Sequence, residues 1–144
     1  MEGLGRVFNV LAVADDVYVS LKDASAVSFV CTLAAGDTWT ITEAKDAAGT
    51  SAAVLATVTH YHVQATVGAV WAEVTQAAGS AFTTSSSQDV AVVTIHGSEL
   101  SDGFDYVKCA STSTGTVVAI QHDLMVQRAR SEEHTSELQS PTSI

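Results

Sequence analysis

The sequence predicts an all-β fold: an antiparallel β-sandwich, jelly-roll-like, built from eight or nine short strands. Three observations support this prediction. Short segments alternate apolar and polar side chains, turn-forming residues separate these segments, and the helical signal is limited to one short turn near residues 98–103. The strongest segment runs from Gln88 to Gln127. Within it, Val90–Ile95 carries no charge, so we expect a central strand that is buried on both faces.

The rest of this segment predicts a turn and two further strands. Ser98 is expected to cap the helical turn, and Gly103 to end it in the left-handed conformation. Phe104–Cys109 then resumes the two-residue alternation. Ser111–Gly115 is predicted to be a hairpin loop, and Val117–Val126 the longest alternating strand.

The front of the chain predicts an arm followed by three strands. Met1–Val13 is mildly apolar, and we expect it to pair at a sheet edge. Strands are predicted at Val17–Leu21, Ala26–Leu33 and Thr38–Ala44. Alternation places one set of side chains in the core: Val27, Phe29, Cys31, Leu33, Trp39 and Ile41.

The middle of the chain is less regular. Residues 45–52 are expected to form a loop in which Gly49 takes a positive φ. Residues 53–64 contain alanines that allow a helix, but β-branched side chains favour a strand, which is our prediction. One strand is expected near residues 70–75, followed by a long flexible loop over residues 77–87 of the kind that carries binding or simply connects strands.

The last fifteen residues, 130–144 (RSEEHTSELQSPTSI), resemble one reading frame of a common sequencing-library adapter. We therefore treat them as a non-native, disordered tail and assign one domain to residues 1–129. The tail holds three of the 16 acidic and one of the six basic residues, which leaves 13 and 5 in the domain and a net charge near −8. So acidic a domain is expected to bind no nucleic acid. No signal peptide and no apolar run of about 20 residues are visible in the sequence, so no membrane partner is expected.

Candidate metal ligands are few. His60 and His62 lie two residues apart on one predicted strand face and are the weak candidates for a divalent ion. His96 or His122 could add a third ligand if their strands adjoin. Solvent-facing histidines at a sheet edge explain the pair equally well, so we predict neither a metal nor another cofactor.

No arrangement in the sequence indicates catalysis. Asp102 and Asp105 could be read as a carboxylate pair, but turn chemistry and a solvated strand position explain them better. Asp15, Asp16 and Asp37 are likewise read as turn residues. Residues 85–87 are three serines without a nucleophile elbow or a phosphate-binding glycine pattern. We expect no enzyme activity.

Aromatic residues and cysteines are interpreted mainly as core. Five aromatic side chains could form a sugar-stacking platform, although strand aromatics usually pack inside: Tyr18, Trp39, Tyr61, Trp71 and Tyr106. Trp71 stands out because its surroundings are loop-like. Cys31 and Cys109 are expected to be small buried hydrophobes, with a disulfide possible only if their strands are neighbours.

The order of these segments resembles that of a family of small tailed-bacteriophage virion proteins, described as structural, head-decoration or hypothetical proteins. The resemblance covers roughly residues 4 to 128. It rests on the Gln88–Gln127 segment with its Gly-Phe-Asp-Tyr-Val-Lys run at 103–108, and on residues 17–22, 27–30 and 36–44. It is a likeness of pattern and order and includes no catalytic signature.

The resemblance implies a virion structural protein, made in the host cytoplasm, that decorates the capsid or associates with the head–tail region without catalysis. It implies capsid or head–tail proteins as partners and leaves homo-oligomer formation open. Partner-binding candidates are the apolar residues of the arm and one tryptophan: Leu4, Val7, Phe8, Val10 and Trp71. The alternatives are a carbohydrate- or host-surface-binding module of a tail appendage, and a cellular β-sandwich interaction domain.

Overall fold

The computed structural model describes residues 7–33 and 35–124. The described part contains eleven strands. They are β1 (Val7–Leu11), β2 (Val19–Ser20), β3 (Ala24–Thr32), β4 (Thr38–Ala44), β5 (Ala53–Val54), β6 (Val58–Gln64), β7 (Ala72–Gly79), β8 (Ala81–Thr83), β9 (Val90–His96), β10 (Tyr106–Ser111) and β11 (Thr116–Leu124). Leu4 and the adapter-like tail lie outside the described residues.

The strands form two antiparallel sheets that pack face to face, which confirms the predicted all-β sandwich. The larger sheet has six strands in the order β1-β11-β3-β9-β6-β7. The smaller sheet has the order β2-β10-β4-β5, and β8 also pairs with β4. Over residues 7–33 and 35–124 no helix is long and apolar enough to cross a membrane.

The core between the sheets is built from alternate side chains, as the two-residue period predicts. Trp39 and Ile41 of β4 and Phe29 of β3 are fully buried. The Trp39 ring stacks on Phe82 with ring centroids 6.4 Å apart, and the Tyr61 ring also packs against Phe82, with centroids 4.9 Å apart. The aromatic cluster therefore joins β4, β6 and β8 across both sheets.

The predicted central strand β9 lies between β3 and β6. Its inward side chains are buried, but Thr94 is exposed and Val92 is only partly covered. The expectation that both faces are buried is therefore wrong for the outer face, because β9 belongs to a sandwich with one solvated side.

The predicted hairpin at Ser111–Gly115 is wrong. β10 pairs with β2 and β4 in the smaller sheet, whereas β11 pairs with β1 and β3 in the larger one. Residues 111–115 therefore cross from one sheet to the other. The Ser111 hydroxyl accepts hydrogen bonds from the backbone N–H groups of Ser113 and Gly115 at 3.0 and 3.1 Å, which fixes this crossover.

Other strand limits also differ from prediction. The strand predicted over residues 53–64 is divided into β5 and β6, which pair in different sheets. The loop predicted over residues 77–87 contains the end of β7 and all of β8. Leu33, predicted in the core, is exposed with φ of 53°, because β3 ends at Thr32.

The helical turn is a 3₁₀ turn over Gly97–Glu99 with His96, and not Ser98, at its N-cap position. The Glu99 carboxylate accepts a hydrogen bond from the His96 backbone N–H at 2.7 Å. Gly103 and Gly49 have positive φ values of 81° and 87°, as predicted for both. Gly103 lies beyond the turn, which ends at the extended residue Leu100.

Candidate binding edge and the other predicted sites

The open edge of β7 is the strongest candidate site. β7 ends the six-stranded sheet and, among the described strands, pairs with β6 alone. None of its eight side chains is buried, and the sequence AEVTQAAG has one charge, no proline and no lysine. Such an edge presents unpaired backbone donors and acceptors, although the register of β7 against β6 shifts between Thr75 and Gly79.

Exposed hydrophobic side chains continue this edge at its N-terminal end. Val70 is 91% exposed and Trp71 48% exposed, and Val67 lies in the same β6–β7 connection. A tryptophan exposed to this extent beside a strand with one open edge is typical of an interaction site. We call Val67, Val70, Trp71 and β7 the binding edge.

Two glutamine side chains hold the binding edge in place. Gln64, which is buried, donates to the carbonyl of Ala69 at 2.8 Å and accepts from the N–H of Gly68 at 3.3 Å. At the other end, the Gln76 amide donates to the carbonyls of Val58 and Ala81 at 3.1 and 2.9 Å. Because both ends are fixed by hydrogen bonds, the edge is ordered before any partner binds.

The predicted arm lies at the opposite end of the same sheet. β1 pairs with β11 in antiparallel register, for example Val10 with Ile120, so the expected pairing of the arm at a sheet edge is confirmed for Val7–Leu11. Val10 is exposed. The side chains of Val7 and Phe8 are outside the described part, and whether the arm contacts another protein stays a prediction.

The two metal-ligand candidates lie side by side on β6. The His60 and His62 rings are 6.2 Å apart between centroids and both residues are exposed. His62 Nε2 is 3.5 Å from the Glu73 carboxylate of β7. Across residues 7–33 and 35–124 no group of three or more histidine, cysteine, aspartate or glutamate side chains is placed to hold a metal ion.

His96 lines a cleft of about 280 Å³ where β6 and β9 diverge. Thr57 and His60 lie on one wall, and Thr94 and Glu99 on the other. The strands pair only from His62 to Gln64, which leaves this opening between their other ends. The cleft is at the lower limit of size for a small-molecule site. Trp71 does not line it.

His122 belongs to a hydrogen-bonded chain that the sequence does not reveal. Its Nδ1 atom is 3.0 Å from the carboxylate of Asp123, and its Nε2 atom is 2.9 Å from the hydroxyl of Ser28. The Ser28 hydroxyl is also 2.8 Å from that of Thr94. Residues 94 positions apart meet here only because β3 and β11 pair, so no local motif could have indicated the chain.

The hydrogen-bonded order Asp123–His122–Ser28 matches that of a catalytic triad. The backbone around Ser28, however, does not provide the oxyanion hole that such a triad needs. Ser28 lies in the middle of β3, which is paired on both sides by β11 and β9. Its neighbouring backbone N–H groups are therefore used in the two ladders and cannot stabilise an oxyanion. The arrangement joins three strands across the outer sheet face.

The other candidates for acid–base or nucleophilic chemistry lie in turns. Asp102 and Asp105 are exposed on either side of Gly103 and Phe104. The hydroxyls of Ser85 and Ser87 are 3.1 Å apart, and the Ser85 N–H donates to the Gln88 side chain at 2.8 Å. These contacts are those of a compact turn.

Buried carboxylates were missed by the sequence analysis. Asp37, read as a turn residue, is only 3% exposed and accepts hydrogen bonds from Thr38 N–H at 2.7 Å and from the hydroxyls of Thr112 and Ser111. Glu43 is also buried and accepts from Ser101 through its N–H at 2.8 Å and its hydroxyl at 2.5 Å. Each carboxylate therefore stabilises a contact between segments that are far apart in the sequence.

The aromatic residues do not form one platform. Trp39 and Tyr61 are buried in the core, and the Tyr61 hydroxyl donates to the Thr83 carbonyl at 2.8 Å. Tyr18 and Tyr106 are partly buried, each with a lysine ammonium over its ring, at 4.8 and 5.5 Å. Trp71 is the one of the five that is exposed.

A scan against protein-family models and searches of curated proteins and of solved structures found no match to this chain.

Proposed function

We propose that the chain is a non-enzymatic structural protein of a tailed-phage virion that attaches to the capsid or to the head–tail region. Two independent features support this proposal. One is the resemblance of residues 4 to 128 to small virion proteins. The other is the binding edge, which offers both backbone hydrogen bonds and an apolar anchor to a protein partner.

The binding edge is the observation that carries the proposal. An extended segment of a neighbouring virion protein adds to β7 as a seventh strand, and Trp71 and Val70 contact its apolar side chains. Since this chain is acidic, a neutral or basic partner segment suits the edge best. Many copies on a symmetric particle make a modest contact sufficient through multivalency.

Co-sedimentation with particles assembled without this protein tests the proposal. The double variant Val70→Ser, Trp71→Ser is expected to lose at least about tenfold in occupancy, since exposed tryptophans are common binding hot spots. The matched control is Val54→Ser, because Val54 is 63% exposed but lies in the other sheet. Equal occupancy for the double variant and the wild type would reject the binding edge.

The arm can be tested separately with two truncations. Removal of Met1–Val13 also removes β1 and uncovers β11, so it is expected to lower both stability and binding. Removal of residues 1–6 leaves β1 intact. A loss of particle binding in this shorter truncation, at unchanged melting temperature, would assign a partner contact to the arm. Unchanged occupancy would exclude a partner contact by residues 1–6.

A carbohydrate- or host-surface-binding module of a tail appendage is the second candidate, and the exposure of Trp71 is the observation that favours it. The variant Thr75→Lys separates the two. A lysine on β7 discourages strand addition but leaves the Trp71 ring free for sugar stacking. Glycan-array binding that survives Thr75→Lys and is lost in Trp71→Ser would favour the carbohydrate module.

The genes on either side of this one distinguish between a location on the phage head, a location on the tail and a cellular origin. Capsid, portal or protease genes beside this one place the protein on the head, and tail-fibre genes favour host binding. Bacterial metabolic genes would instead favour a cellular β-sandwich interaction domain.

A further inference from the structure

The two cysteines face each other across the core. Cys31 lies on β3 of the larger sheet and Cys109 on β10 of the smaller sheet. Both are free, both are fully buried, and their Sγ atoms are 4.0 Å apart. The sequence analysis allowed a disulfide only if the two strands were neighbours. They are not neighbours within one sheet. Facing positions in packed sheets bring the thiols together instead.

We propose that Cys31 and Cys109 form a disulfide that links the two sheets when a low-molecular-weight disulfide serves as the oxidant. A disulfide bond is about 2.05 Å long, so each sulfur must move by about 1 Å, which a small change in side-chain torsion provides. The bond would join strands whose cysteines are 78 residues apart in the chain. Closing so long a loop restricts the unfolded chain and stabilises the fold.

The reaction proceeds in two exchange steps. One cysteine loses its proton and its thiolate attacks a sulfur of the external disulfide, forming a mixed disulfide and releasing one external thiolate. The second cysteine then loses its proton and attacks the protein sulfur of that mixed disulfide, forming the Cys31–Cys109 bond and releasing the second external thiolate. The protein loses two hydrogen atoms in total, and one external disulfide becomes two thiols.

Burial of the two thiols determines the rate at which the disulfide forms. The contact with the Cys31 thiol and the burial of the site raise the pKa of Cys109 well above its ordinary value, so the attacking thiolate is scarce in the closed sandwich. No reagent reaches the sulfurs until the sheets part. The same burial protects the bond from reductants once it has formed. The disulfide is therefore expected to form slowly and, once formed, to resist reduction.

The biological role of this disulfide rests on the proposed function. A virion protein is made in a reducing cytoplasm, where the thiols stay free, and is later released into an oxidising medium. Oxidation after release would stabilise a particle that must persist outside the cell.

The purified, reduced full-length chain tests the inference. It is incubated with oxidised glutathione at about 10 °C below its melting temperature, where opening is frequent. We expect the intact mass to fall by two hydrogen atoms, both thiols to resist alkylation in denaturant, and the protein to stay monomeric on a non-reducing gel. The melting temperature is expected to rise by about 10 °C. Oxidation should slow strongly at 10 °C.

Three outcomes would overturn the inference: two alkylatable thiols after this treatment, glutathione attached without an internal bond, or a lower melting temperature in the oxidised form. Cys31→Ala and Cys109→Ala serve as single-thiol controls and should show no gain. If either fails to fold, the reduced and oxidised wild-type forms still decide the result, since they share one sequence. No particle is used, so the result is independent of the virion proposal.

Discussion

The carboxylate of Asp37 accepts a hydrogen bond from the hydroxyl of Ser111, a residue 74 positions later in the chain. Asp37 precedes β4, and Ser111 ends β10 where the chain crosses to the larger sheet. A buried carboxylate held by hydroxyl donors instead of a cation depends on those donors for its stability. The crossover and the carboxylate therefore stabilise each other.

Acid is expected to weaken this connection. Burial alone would raise the pKa of Asp37, but hydrogen bonds from Ser111, Thr38, Thr112 and Gly115 outweigh burial and lower the pKa below the ordinary 3.8. Because the folded-state pKa is depressed, the ionised carboxylate stabilises the fold above the unfolded-state pKa near 3.8. That stabilisation is lost as pH falls through the folded-state pKa.

The variant Asp37→Asn measures this contribution. We expect its free energy of unfolding to be lower than that of the wild type by about 1–3 kcal/mol at pH 7. The difference should shrink below about pH 4, as followed by urea titrations between pH 7 and pH 2. Asp102→Asn is the exposed control and should change little. A difference that stays constant over this pH range would contradict the role assigned to the charge.

Gly115 is expected to tolerate no side chain. A β-carbon there would overlap ring atom Cη2 of Trp39 and lie 2.6 Å from Oδ2 of Asp37. Gly115→Ala should therefore lower the free energy of unfolding by about 3 kcal/mol or more. At Gly97 the nearest atoms to a β-carbon are 3.5 and 3.9 Å away, so Gly97→Ala is the matched control. Equal effects of the two substitutions in a denaturant titration would contradict this packing.

The two tryptophans are expected to respond in opposite ways. Trp39 is fully buried against Phe82, so Trp39→Ala should cost about 3–5 kcal/mol of stability. Trp71 is about half exposed, so Trp71→Ala should cost less than about 1 kcal/mol. Chemical denaturation of both variants checks this. A loss below 1 kcal/mol for Trp39→Ala would refute its core position.

Chelation is expected to leave the fold unchanged. His60 and His62 are exposed, and the nearby Glu73 is 3.5 Å from His62 without a third histidine or acid gathered around them in the described part. Excess EDTA should shift the melting temperature by less than about 1 °C, because the described residues around His60 and His62 do not form a metal site on which the fold could depend. A fall of several degrees, reversed by added zinc, would show that these residues do bind metal.

Local alternation was sufficient to predict much of the fold. The exact limits of Thr38–Ala44, with Trp39 and Ile41 inward, follow from a period of two, which depends only on neighbours in sequence. Trp71 was singled out as a binding candidate by its loop-like surroundings, but its exposure of 48% is known only from the structure. β7 was partly mistaken for a loop, because its alanines and glycine have low strand propensity and its stability comes from pairing with β6.

What could not be predicted depends on pairing between distant residues. Whether residues 111–115 close a hairpin or cross between sheets is decided by β10 and β11 choosing different partners, which no local pattern encodes. The same holds for the contact of Cys31 with Cys109 and for the chain from Asp123 to Ser28. Each joins residues more than 70 positions apart.

Amide hydrogen exchange over residues 72–79, in the free protein and on particles, tests the binding edge most directly. We expect the β7 amides that point away from β6 to exchange quickly in the free protein and to slow by at least about tenfold on binding, because a partner strand now accepts their hydrogen bonds. The amides of residues 90–92 in β9, where both neighbouring strands are paired, are the internal reference. Unchanged β7 exchange in particles shown by sedimentation to carry the protein would contradict strand addition at this edge.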